Sequence, residues 1–255
     1  MRRIIAVVCA VLLGALAFAA WTANSETGRG LLWTVVQTCV ANHALTGAAF
    51  PCLEVNDSSG EHGYAILRRP GDPDFILVPT RKIVGVEDPS LQTADAPNYF
   101  QDAWNARSFL SDAFKKPLAR NDVALAVNSR ITRSQDQLHI HIGCLSQRAK
   151  KTLQALAAEL PEDEWVRIGN LMRVGTTPYR QGLWGRRVGQ DTLEGVNPFR
   201  LATEGRLDPQ LLIVVTGIQL PDGRGGFALL ASRNDRFGPI DQASAEDILD
   251  PSCSL

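Results

Sequence analysis

Histidine is scarce in this sequence, with four in 255 residues, so a close pair concentrates half of the chain's imidazole chemistry in one place. An excess of one charge is also missing: 26 Lys and Arg against 27 Asp and Glu leave a formal net charge of −1. That balance lacks the basic field with which proteins hold nucleic acid by counterion release, so nucleic acid is excluded as the main partner. Local pairs such as Arg68-Arg69 and Lys150-Lys151 read as solvated surface. No Cys-x-x-Cys spacing occurs among the five cysteines, which removes the zinc-ribbon and dithiol redox classes. Low-complexity tracts and internal repeats are absent too, and a hydrophobic content of 45% suffices to bury a core.

What is present begins with an uncharged apolar run from Ile4 to Trp21 behind Arg2-Arg3. At a rise of about 1.5 Å per residue such a run nearly crosses a hydrocarbon layer of about 30 Å. Residues 1–23 therefore read as a transmembrane anchor; Ala17-Phe18-Ala19 leaves a cleaved signal peptide as the alternative. With the two arginines retained inside, residues 24–255 fall on the periplasmic side of a bacterial inner membrane. Outside the run stand Cys39, Cys52, Cys144 and Cys253, for which three pairings exist. Proximity in sequence favours Cys39 with Cys52, leaving Cys144 with Cys253; four thiols are the alternative.

Leu31 to Leu45 reads as a helix, and Cys52–Val55, Gly63–Leu67 and Phe75–Val78 as an antiparallel meander between turn-rich segments. From Pro97 to before Pro117, apolar residues recur at the helical period and predict one amphipathic helix over the sheet. Val123–Asn128 and Gln137–Leu145 predict two more strands, and Ala149–Leu160 a helix. Residues 161–255 are less readable: Trp165–Met172, Leu211–Gln219 and Phe227–Ser232 predict strands, and Ser244 the side-chain cap of a short helix. The pattern is α+β, with no firm domain boundary after residue 24.

The chemistry concentrates in Gln137-Leu138-His139-Ile140-His141-Ile142. A strand turns alternate side chains to one face, so Gln137, His139 and His141 share a polar surface while Leu138, Ile140 and Ile142 face the core. Neutral imidazole is a good nucleophile at phosphorus, and a covalent intermediate splits one hard displacement into two easier ones. This chemistry calls for no metal or cofactor. Two alternatives stay open: a metal-ligand pair completed by His43, His62 or a distant carboxylate, and an exposed polar face with no chemistry.

Ser134-Gln135-Asp136-Gln137-Leu138-His139-Ile140-His141 resembles the histidine-triad motif, with Gln137 in the first position, His139 in the central nucleophile position and His141 in the third. The match to Asp74–Ile83 is similar, with Asp74 and Lys82 where the motif's relatives often carry histidine. Val78–Pro89, Trp104–Arg107, Asn128-Ser129-Arg130, Arg133-Ser134-Gln135 and the histidine strand together resemble the CDP-diacylglycerol pyrophosphatases over most of the chain. That resemblance implies a histidine-triad-like antiparallel sheet with covering helices, preceded by one N-terminal transmembrane helix. It implies hydrolysis of CDP-diacylglycerol to CMP and phosphatidate at the membrane. His139, His141, Gln137 and Ser134 become catalytic candidates, and Asn128, Arg133, Arg130 and Lys82 phosphate-binding ones. A broader pyrophosphatase on soluble nucleotide conjugates, or a non-catalytic metal-binding envelope protein, are the rival readings.

Overall fold

A computed structural model describes residues 28–57, 62–69, 71, 73–169, 171, 182–232 and 244–254. Its centre is a single antiparallel sheet of nine strands: β1 (Glu54–Asn56), β2 (Tyr64–Arg68), β3 (Phe75–Pro79), β4 (Val123–Val127), β5 (Ile140–Cys144), β6 (Val166–Gly169), β7 (Leu183–Val188), β8 (Ile213–Gln219) and β9 (Gly225–Ala231). They run in the order β1-β2-β3-β5-β4-β8-β9-β7-β6, so strands from both halves of the chain share one ladder. Helices are few and short: α1 (Leu31–Thr46), α2 (Tyr99–Asn105), α3 (Ser108–Phe114), α4 (Gln147–Leu156) and α5 (Pro198–Thr203).

The expected fold is corrected on two counts. The architecture is one large antiparallel sheet with few helices, in place of the expected histidine-triad-like sheet with covering helices. Among the described residues no helix is long and apolar enough to cross a membrane, and the expected transmembrane helix over residues 1–23 lies outside the described residues. The single helix expected between Pro97 and Pro117 is two, α2 and α3. At the junction the Arg107 guanidinium stacks 4.5 Å from the Trp104 ring and donates to the Trp104 carbonyl at 2.6 Å, occupying an acceptor a continuous helix would use.

Period-two burial divides the apolar residues between the two faces. Phe75 and Leu77 of β3, Leu125 and Val127 of β4 and Ile140 and Ile142 of β5 enter the main core with Tyr99, Phe100 and Trp104 of α2 and Phe199 of α5. The other face carries two separate clusters. Ile76 and Val78 pack with Val36 and Cys39 of α1. Ala124 and Ala126 of β4 pack with Leu145, Ile248 and Leu249. Strand β5 runs between them, because β3 and β4 are its two neighbours.

Both flanks of that gap are tied down. On the α1 side, Arg29 donates to Asp136 at 2.7 and 2.8 Å, Leu32 N donates to Gln135 Oε1 at 2.9 Å, and Asp136 N donates to Arg29 O at 2.7 Å. The Arg29 hydrogen bond leads in pulling the Asp136 carboxyl down to about 2. On the other side the chain end returns to β5: Asp250 N donates to Cys144 O at 2.8 Å, Ser146 N to Ile248 O at 3.0 Å, and Leu145 bridges Leu249. Cys144 is bonded to Cys253 across 109 residues, and Cys39 to Cys52 across 13.

Closing the longer loop restricts the unfolded chain more. Cys253→Ala should therefore lower stability by about 2–4 kcal/mol, read as a shift in the denaturant midpoint. It should also reduce activity, because the segment it releases borders β5; an unchanged midpoint and full activity would contradict that role.

Candidate active site

Regular β5 begins at Ile140, yet the alternation extends upstream of it. Leu138, Ile140 and Ile142 enter the main core, while Gln137, His139 and His141 turn to the opposite face at 0%, 8% and 0% exposure. His141 pairs with Ile76 on β3 and with Ala126 on β4. Gly143, next on this face, is required by its surroundings: a Cβ there would stand 2.8 Å from Asp74 Oδ1 and 2.9 Å from Leu249 Cδ1.

The two rings meet edge to face with centroids 5.0 Å apart. His139 Nδ1 lies 2.8 Å from the Gln137 carbonyl oxygen. A carbonyl only accepts, so Nδ1 carries the proton and Nε2 presents its lone pair. Burial pushes His139 below histidine's ordinary value, against the pull of the Gln137 carbonyl and Glu246. Burial likewise drives His141 down to about 3, opposed by Glu246 and reinforced by His139 and Arg69. Both rings are thus neutral near pH 7, the form in which imidazole attacks phosphorus.

His141 Nε2 stands 3.3 Å from Glu246 Oε1, a residue outside the sequence-derived candidates. Glu246 lies on the 3-10 turn Ala245–Ile248 and is held on two sides: Asn128 Nδ2 donates to Oε1 at 2.8 Å and Arg69 donates to Oε2 at 2.9 Å. Burial raises its carboxyl, but His141, Arg69 and the Asn128 amide together outweigh burial and leave it below the ordinary value. With side-chain exposures of 36% and 30%, Arg69 and Glu246 link the buried rings to solvent.

The other candidates fall into two groups. Asn128 belongs to the site, its Oδ1 accepting from Ala245 N at 2.7 Å and Ser244 Oγ at 2.8 Å. Ser244 was expected to cap the last helical turn with its side chain; its hydroxyl is instead given to Asn128, and Asp247 accepts from Ser244 N at 3.1 Å. Both Gln137 amide hydrogens go to the Pro79 and Arg81 carbonyls, at 3.0 and 2.9 Å, so this side chain pins the turn after β3. Arg133 is buried and bound to Glu87 at 2.7 Å and Asp136 at 3.0 Å. Ser134, Arg130 and Lys82 are exposed, and among the described residues no hydrogen bond or ion pair joins them to either histidine.

No group of three His, Cys, Asp or Glu side chains stands at metal-holding geometry among the described residues. A cavity of about 520 Å³, lined by Gln92, Val196, Asn197, Arg200 and Leu201 around α5, includes none of the candidates.

The neutral rings bear on stability. Below pH 6.5 the unfolded chain protonates His141 while the folded chain resists down to about 3, so stability is full above this window and falls as pH falls through it. Between pH 7 and 5 the loss should reach about 2 kcal/mol for this residue. Denaturant midpoints for the native protein and His141→Gln would show it: the variant should lose distinctly less, and parallel curves would contradict a buried neutral His141.

Residues 27–255 match the family model described as CDP-diacylglycerol pyrophosphatase. A CDP-diacylglycerol pyrophosphatase of Yersinia pestis is 34% identical over 227 residues, covering 88% of this chain and 84% of the relative. A probable CDP-diacylglycerol pyrophosphatase of Mycobacterium leprae is 31% identical over 239 residues, covering 91% and 82%. With nearly its whole described length matched by that model and by these relatives, the chain belongs to the CDP-diacylglycerol pyrophosphatase family.

Proposed function

We propose that this chain, a hydrolase of phosphoanhydride bonds, cleaves CDP-diacylglycerol to CMP and phosphatidate through a cytidylyl group carried on His139 Nε2. The observation that carries the mechanism is the tautomer: with Nδ1–H committed to the Gln137 carbonyl at 2.8 Å, the lone pair of Nε2 is the ring's reactive atom. That atom attacks the phosphorus bearing the cytidine; an Nε2–P bond forms, the bridging P–O bond breaks, and phosphatidate leaves with the electron pair. Water then attacks the same phosphorus, the P–N bond breaks with its pair returning to the ring, and CMP departs.

Arg69 and Arg133 are the cations whose fields reach His139, and both favour an anionic phosphoryl group beside it. Arg69 is the more accessible, since Arg133 is buried against Glu87 and Asp136. Gln137 holds the strand and turn in register, and Asn128 holds the segment containing Glu246. Ser134, Arg130 and Lys82, exposed on the flanking loops, remain candidates for the polar groups of an arriving substrate.

A diacyl substrate also needs a place to meet lipid. Between Gly30 and Leu53 the chain carries no Asp, Glu, Lys or Arg. Within that stretch Leu31, Leu45, Phe50 and Leu53 are exposed at 37%, 84%, 76% and 49%. These features support contact of the α1 flank with a bilayer surface. The two disulfides support an oxidising compartment, the periplasmic side of a bacterial inner membrane.

Two measurements test this reading. His139→Ala should remain folded and lose about a thousand-fold or more in turnover, and cytidine-labelled substrate should label the native protein at His139; retained activity in the variant removes the nucleophile. Phe50→Asp should weaken hydrolysis of CDP-diacylglycerol in vesicles about tenfold while sparing a short-chain soluble analogue, a difference of about 1.4 kcal/mol. Equal rates on both substrates would argue against membrane contact at this flank.

A further inference from the structure

His141 is fully buried, and among the described residues neither ring nitrogen has a hydrogen-bond partner. Buried polar atoms in folded proteins are normally paired, so two orphans on one ring beside a reactive group call for an explanation. Glu246 Oε1 stands 3.3 Å from Nε2, outside good hydrogen-bond alignment. Glu246 is fixed from behind by Arg69 and Asn128, and Asn128 in turn by Ser244 and Ala245. The charged and titratable groups bearing on His141 are Glu246, His139 and Arg69. Asp74 faces the same strand across Gly143.

The second half of the proposed reaction has an unmet requirement: the attacking water must lose a proton. His139 cannot take it, because Nε2 is bonded to phosphorus and Nδ1 is committed to the Gln137 carbonyl. Gln137, in the first position of the motif, is not basic, and its amide hydrogens are spent on Pro79 and Arg81. His141 is the basic group beside the His139 ring.

We propose that His141 is the base of the hydrolytic step and that Glu246 is its positioning residue, accepting from His141 Nε2–H so that Nδ1 takes the proton from water. The inference rests on the cytidylyl-histidine reading. As the water oxygen bonds to phosphorus and the P–Nε2 pair returns to His139, the proton moves to His141, and the imidazolium so formed is met by the carboxylate. Burial alone opposes a charged His141, and the adjacent anion makes the transient charge tolerable. Contacts of this kind are often loose before substrate binds and tighten in the complex. Glu246, the partner with solvent-exposed surface, then passes the proton out.

Rapid quenching of the full-length protein with cytidine-labelled CDP-diacylglycerol separates the two halves of the reaction. Glu246→Gln should form the labelled adduct within about threefold of the native rate and release CMP about a hundredfold more slowly, so that adduct accumulates. Glu246→Asp should recover part of the release rate, which rescue of a merely structural contact would not confine to one step. Equal slowing of both halves, or native release from the Gln variant, overturns the role of Glu246. If active native protein forms no adduct, the cytidylyl-histidine reading itself falls and takes this inference with it.

Discussion

The hydrogen bond between His139 Nδ1 and the Gln137 carbonyl sets the direction of everything around it. It spends the nitrogen that carries the proton on a group only two residues away, and leaves the other with a lone pair. The carbonyl is available because the chain at Gln137 is already held, its side chain donating to Pro79 and Arg81 and its neighbour Leu138 N donating to Ile83 O at 2.6 Å. Gln137 thus acts through its main chain on His139. Histidine in its place would keep the carbonyl but would not offer two amide hydrogens to the turn after β3.

Around that bond the sheet separates a dry side from a polar one. Leu138, Ile140 and Ile142 are committed to the large core, which leaves their alternates no choice of face. The polar side is bordered by two apolar clusters that do not merge, one under α1 and one under the chain end. Burial between them keeps both imidazoles neutral, at a cost in stability that grows as pH falls. The borders are fastened by covalent and ionic ties, Cys144 to Cys253 on one side and Arg29 to Asp136 on the other. Stability and site geometry are therefore properties of the same contacts.

Much of the fold was legible where burial follows a simple period. Leu31 to Leu45, the meander of β1 to β3, and the strands around Val123 and Leu211 lie where apolar spacing put them. The strand β7 was missed, because its inward positions include Gly185, whose missing side chain makes room for Ile168 and Leu230 and erases the alternation. The break between α2 and α3 was equally hidden: the apolar period runs through it, and the Arg107 contacts with Trp104 that mark the junction carry no sequence period. That the strands of both halves form one sheet depends on β4 pairing with β8, a long-range match that no local pattern encodes.

For the site, sequence by itself determined which side chains share a face with His139, since alternation along an extended segment is a local property of the backbone. It also carried the family, through motifs spread over most of the chain. Tertiary structure alone decided what those side chains do. Arg133 is turned into a buried tie, Gln137 into a clamp, and Glu246, 118 residues from the Asn128 that holds it, is brought beside His141. The reason is physical: a carboxylate and an imidazole so far apart along the chain meet only after the chain end has folded back along β5.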